Sequence, residues 1–239
     1  FVYSIEQTLV EAIAGAEKSV VAIARVARST PDEALSLEFR VEPFGRTARV
    51  FGEPDPTDPD FVPNEYAAGV VVGGQGLILT TYHVLAPQSD YYVTTADGRV
   101  YQAAIKAADP RSDLAVLAVK TDDLTPIAMG DGQSLRKGQF VVALGNPHAI
   151  ARDGQASAAW GIVSNLARKA PLEPAHSPAA GKTTLHHFGT LIETDAKLNV
   201  GTSGGALLDL SGRMVGLITS LPAPAGYDRA AGYAIPVDA

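Results

Sequence analysis

Ser203 stands in the run Gly201-Thr202-Ser203-Gly204-Gly205, directly before the apolar Ala206-Leu207-Leu208. Three glycines within five residues admit positive φ and close backbone approach, so the spacing predicts a serine presented on a tight turn. On such a turn the main-chain N–H groups of Gly201 and Ser203 can converge beside the hydroxyl and hold an oxyanion. The same residues also read more plainly as a glycine-rich hairpin loop. A serine hydroxyl is a poor nucleophile at neutral pH, so the chemical reading needs a base and a carboxylate that orients it. Of five histidines, His83 alone follows an apolar strand where it ends in a turn, while His148, His176, His186 and His187 fall in turns or polar loops. Asp113 opens the apolar run Leu114-Ala115-Val116-Leu117-Ala118-Val119. Taken singly, His83 also fits a satisfied core histidine, and Asp113 a cap on local backbone N–H groups.

The elements that must position these three residues are mostly short strands. Ile5, Leu9, Ala12, Ile13 and Ala16 recur at helical spacing, which predicts an amphipathic helix over 4–17, with Phe1, Val2 and Tyr3 as an apolar preface able to pack on another copy. A β-branched run over 19–26 predicts the first strand. Residues 27–66 carry Pro31, Pro43, Pro54, Pro56, Pro59 and Pro63 with an acidic tract, and read as a long surface insertion with room for a short hairpin at 39–51. Order returns at 68–72, turns at Gly73-Gly74-Gln75-Gly76 and continues through 77–81 to His83. Asp97-Gly98 between 91–95 and 100–103 is a strong hairpin signal. Residues 121–131 read as a crossover into a second lobe that continues through 140–147, 156–166 and 191–195, then a hairpin turning at Ser211-Gly212. Many short strands, frequent turn signals and little helical periodicity predict an all-β protein of two antiparallel barrels. The expected division is an N-terminal segment 1–18, a first lobe 19–122 and a second lobe 123–239.

Composition bounds the function. The chain has 239 residues, 46% hydrophobic, with 19 basic and 26 acidic side chains and a net charge of −7. That leaves no polycationic footprint for nucleic acid. No apolar run approaches the roughly 18 residues of a membrane span. The absence of cysteine excludes disulfides, thiolate chemistry and a Cys-based zinc site. A metal site on His176, His186 and His187 is a weaker reading, because adjacent histidines on a strand face opposite ways and no carboxylate pattern accompanies them. The chain opens at Phe1, which is read as a trimmed start, so the missing targeting segment carries no expectation about compartment.

Histidine, aspartate and serine follow one another in the chain order of the chymotrypsin-like arrangement. Each also brings its surroundings: Leu79-Thr80-Thr81-Tyr82-His83-Val84-Leu85, Ser112-Asp113-Leu114-Ala115-Val116-Leu117, and Gly201-Thr202-Ser203-Gly204-Gly205-Ala206-Leu207-Leu208. With Ala143-Leu144-Gly145-Asn146-Pro147, Gly161-Ile162-Val163-Ser164, Glu193-Thr194-Asp195-Ala196 and Gly232-Tyr233-Ala234-Ile235-Pro236, these segments make residues 66–239 resemble the HtrA (Deg) branch of chymotrypsin-fold serine proteases. The resemblance implies two six-stranded antiparallel β-barrels with the site between them. It implies His83 as base, Asp113 as its orienting carboxylate, Ser203 as nucleophile, and the N–H groups of Gly201 and Ser203 as the oxyanion hole. Thr219 takes the position that supports the aspartate and pairs with substrate backbone. Leu198, Asn199 and Val200 on one side and Ile218, Thr219, Ser220 and Leu221 on the other would frame the specificity pocket. With Leu198 and Ile218 making the pocket apolar and Lys197 at its base rather than an acid, the expected cuts follow small or medium aliphatic residues in unfolded or misfolded protein.

The resemblance further implies no cofactor, a homotrimer through the N-terminal segment, an extracytoplasmic bacterial compartment, a PDZ domain following Ala239, and order–disorder switching of 167–188, 197–202 and 221–229. Thr202 and Tyr82 depart from the family wording, which has asparagine at both places. A non-catalytic peptide-binding scaffold on the same fold is the main alternative.

Overall fold

The computed structural model describes residues 2–28, 65–146, 154–168, 190–198, 201–219 and 232–238. Helix α1 (Val2–Ala16) leads through a 3-10 turn into the first barrel. That barrel is built from β1 (Val20–Ala27), β2 (Glu65–Gly73), β3 (Leu77–Thr81), β4 (Ser89–Thr94), β5 (Val100–Asp109) and β6 (Leu114–Val119), closed in the order β1-β2-β3-β6-β5-β4. The second comprises β7 (Phe140–Gly145), β8 (Ser157–Arg168), β9 (Leu191–Thr194), β10 (Ala206–Leu208), β11 (Met214–Thr219) and β12 (Gly232–Pro236), closed as β10-β11-β12-β9-β8-β7. Every strand pairing in both barrels is antiparallel. This is the chymotrypsin-like architecture the sequence predicted.

Three apolar clusters account for the shape. Ile23, Ile78 and Leu117, fully buried, fill the first barrel, and Val141, Val163, Ile192 and Ile218 fill the second. Each such side chain contributes about 1.5–3 kcal/mol of apolar burial. A third cluster, with Val20 and Val70 from the first barrel and Val142, Leu144 and Leu208 from the second, seals the junction. Ala16, Leu9 and Ile13 bring α1 onto it, while Val10 on the opposite face is exposed. The crossover segment is hydrogen-bonded to both barrels: Ile127 N–H donates to the Val71 carbonyl at 2.8 Å, and Met214 N–H to the Ala128 carbonyl at 2.8 Å.

Several boundaries shift from the sequence reading, among them α1, which begins at Val2, and β4, which begins at Ser89. β2 begins at Glu65, inside the stretch assigned to the insertion, because Glu65 pairs with Arg25 of β1 in register and as an ion pair. β5 runs on to Asp109, along β6, with a bulge between Ile105 and Ala107. Residues 29–64 of the insertion, including the hairpin expected at 39–51, lie outside the described residues.

Candidate active site

His83 and Asp113 meet because β3 and β6 are neighbours. Thr81 pairs with Leu114 at the end of that ladder, and each chain then leaves the sheet at the same rim. Past β3 the backbone coils into a 3-10 turn, Tyr82–Val84, which carries His83. Before β6, Asp113 takes φ 55, a left-handed conformation that aspartate tolerates better than most residues. Two bonds hold it there: Tyr82 N–H to the Asp113 carbonyl at 2.9 Å and His83 N–H to Asp113 Oδ1 at 2.9 Å. The imidazole Nδ1 then lies 2.9 Å from Oδ2 and 3.1 Å from Oδ1. A carboxylate only accepts, so this contact places the proton on Nδ1 and makes Nε2 the ring nitrogen that carries the lone pair. Thr81 Oγ1 is 3.5 Å from Nε2, at the far limit of a hydrogen bond.

From the other barrel, the Thr219 hydroxyl donates to Asp113 Oδ2 at 2.9 Å. Asp113 is 6% exposed and Thr219 2%. A buried charge is costly unless hydrogen-bonded; here imidazole, main chain and hydroxyl all serve one carboxylate.

Ser203 is held by its main chain. Its carbonyl accepts from Ala68 N–H of β2 at 2.9 Å, and the next residue, Gly204, donates to the Ile218 carbonyl at 2.8 Å. Gly204 has φ 83, and a Cβ on it would lie 2.1 Å from the Ala68 carbonyl oxygen and 2.4 Å from Thr80 Oγ1. Only glycine fits there. Thr80 in turn donates to the Ala68 carbonyl at 2.8 Å. The turn is thus seated on β2 and on β3, the strand that leads into the His83 turn. Ser203 is 9% exposed, and among the described residues its hydrogen bonds run through the backbone. Gly201 has φ 92, and Thr202 is packed so closely on β7 that a Cβ on Gly145 would be 3.0 Å from its Cα.

The residues expected around the specificity pocket divide. Half-buried Leu198 lies against Gly232, where a Cβ would be 2.4 Å from its Cδ1. Ile218 points its side chain into the core of the second barrel, 1% exposed, and offers the site only its backbone. Asn199, Val200, Ser220 and Leu221 lie outside the described residues, as do His148, His176, His186 and His187. Among the described residues no group of three or more His, Cys, Asp or Glu is disposed to hold a metal. A cavity of about 130 Å³ opens behind Thr202, between Leu198 and Ser157, Ala158 and Ala159 of β8. Sequence reasoning passed over Ala68 and Thr80. Ala68 carries no chemical signal, whereas Thr80 does, as a hydroxyl set in an apolar strand.

The trypsin-like peptidase domain family matches residues 67–217. The periplasmic pH-dependent serine endoprotease DegQ of Escherichia coli (strain K12) is 35% identical over 190 residues, covering 79% of this chain and 38% of DegQ. Protease Do-like 1, chloroplastic, of Arabidopsis thaliana is 36% identical over 179 residues, 74% of this chain and 38% of that protein. The chain therefore spans under two-fifths of the length of these relatives. Among solved structures, the HtrA-type protease AlgW with decapeptide superposes with a TM-score of 0.66 at 25% identity, covering 96% of this chain and 64% of that one. A sequence pattern matched from β2 into β11, on two barrels of the same design, places this chain in the trypsin-like peptidase family, as a serine protease domain of the HtrA/Deg type.

Proposed function

We propose that this domain is a serine endopeptidase that cleaves unfolded or misfolded protein through His83, Asp113 and Ser203. The observation that carries the reading is the Asp113 carboxylate, bound at once by the His83 imidazole and by Thr219 of the opposite barrel. Ser203 Oγ attacks the scissile carbonyl carbon as its proton passes to His83 Nε2. The Gly201 and Ser203 N–H groups take the developing oxyanion, each donor contributing on the order of 3 kcal/mol in the transition state. His83 returns the proton to the leaving amine. Water then repeats the sequence on the acyl-enzyme, with Asp113 fixing the tautomer and stabilising the imidazolium throughout.

Cleavage follows Val, Ala or Leu, since Leu198 makes the pocket wall apolar and no acid stands at Lys197 to receive a basic side chain. Pocket residues 199, 200, 220 and 221 complete this proposal. The relatives named periplasmic support an extracytoplasmic compartment, and the wider family supports a trimer through the N-terminal segment with a PDZ domain beyond this chain. Light scattering on the chain with and without residues 1–18 tests the trimer.

The decisive experiment is fluorophosphonate labelling and digestion of an unfolded protein by wild type and Ser203→Ala. Labelling should vanish in the variant and turnover fall by about 10⁶-fold. An unlabelled, inert wild type that still binds peptide would favour the scaffold reading. Cuts dominated by Arg and Lys would overturn the pocket.

A further inference from the structure

Asn146 follows the last residue of β7, is 2% exposed, and among the described residues its Nδ2 has no hydrogen-bond partner. An unpaired buried amide lowers stability, whereas an apolar group of the same shape would not, so an orphaned donor calls for a reason. Its position supplies one. Val142 and Leu144 both face the cluster between the barrels, and the period of two turns Asn146 toward that same junction. Leu144 pairs with Ala206. Carried two residues further, that register sets Asn146 beside Gly204, in the turn that bears Ser203. The close approach of Gly205 agrees: a Cβ there would be 3.1 Å from Gly145 Cα.

Within the turn the carbonyls are unequally engaged. That of Thr202 accepts from Gly205 N–H at 2.9 Å and that of Ser203 from Ala68 N–H at 2.9 Å. Among the described residues none donates to the carbonyl of Gly201. A glycine with φ 92 swings its peptide planes at little cost.

We propose that Asn146 is a positioning residue for the nucleophile turn: when the turn takes its oxyanion-holding form around a bound peptide, Asn146 Nδ2–H donates to the Gly201 carbonyl. Fixing that carbonyl limits rotation about Gly201 and keeps its N–H aimed at the oxyanion. The oxyanion-holding form of the turn then gives this buried donor its partner. This inference rests on the endopeptidase reading.

The test compares wild type, Asn146→Leu and Asn146→Asp on a peptide substrate, with thermal unfolding of the ligand-free proteins. Both variants lack the donor, so kcat should fall about 10- to 100-fold while KM changes by less than about threefold. Asn146→Leu should unfold at the same temperature as wild type or higher, which a merely structural asparagine would not allow. Should Asn146→Leu not fold, the near-isosteric Asn146→Asp decides on kcat alone. An active wild type matched in kcat by the folded variants, or a loss of kcat that tracks a lower unfolding temperature in Asn146→Leu, overturns the inference and leaves the endopeptidase reading intact. A wild type inert toward peptide and fluorophosphonate overturns both.

Discussion

Asp113 and Ser203 lie at the same junction and are nearly equally buried, yet they are held in opposite ways. Asp113 is fixed by side-chain chemistry, its carboxylate receiving a main-chain N–H, an imidazole and a hydroxyl. Ser203 is fixed by backbone bonds and by glycines too tightly packed to bear a side chain. The Asp113 side is therefore sensitive to the loss of an atom, and the Ser203 side to the gain of one. Substitutions on the first side should cost rate with the fold intact. On the second side, substitutions that put a side chain on a packed glycine should cost stability.

Asp113→Asn tests the first side most severely. An amide keeps the shape but favours the wrong imidazole tautomer, so turnover should fall about 10⁴-fold with an unchanged circular dichroism spectrum. Gly204→Ala tests the second. Its methyl would run into the Ala68 carbonyl and Thr80 Oγ1, so denaturant unfolding should report a loss of about 3 kcal/mol or more. Gly98→Ala sharpens that result, because Gly98 has φ 79 with nothing within 4 Å of its missing Cβ, and should lose only about 1 kcal/mol.

Thr219→Val returns to the first side with a smaller cut. It removes one donor from a buried carboxylate and should lower kcat/KM about tenfold. Asp90→Asn, on β4 and remote from both sides, should do least. The Arg28 guanidinium hydrogen-bonded to Asp90 holds that carboxyl below its ordinary value. A lowered folded-state value means the pair stabilises above the unfolded value of about 4 and fades as pH falls through the folded one. The amide variant would flatten only that acid limb in a plot of unfolding temperature against pH, with no change in activity.

The sequence carried the site further than it carried the sheets around it. Ser203 among its glycines, and His83 and Asp113 each at a strand boundary, are local signals, and turn residues marked most hairpins. β5 beyond Ala103 was illegible because Ala104 to Ala108 are exposed, so no alternation of apolar and polar faces records the strand. β2 was cut short because its first residue is specified by a partner 40 positions away, Arg25, which no local window contains. Ile218 reads as a pocket residue by its place next to Thr219, but strand alternation turns its side chain into the barrel core. Asn146 and Ala68 matter only through what the fold brings to them.

The segment between the barrels, anchored to β2 at Ile127 and to β11 at Ala128, has one more consequence. A nick within 121–131 would yield one fragment with the proposed base and its carboxylate, His83 and Asp113, and another with the proposed nucleophile, Ser203, each expected to be inert alone. Recovered hydrolysis on mixing the fragments would then report re-association of the halves, which makes this strap a natural place to divide the chain into a split reporter.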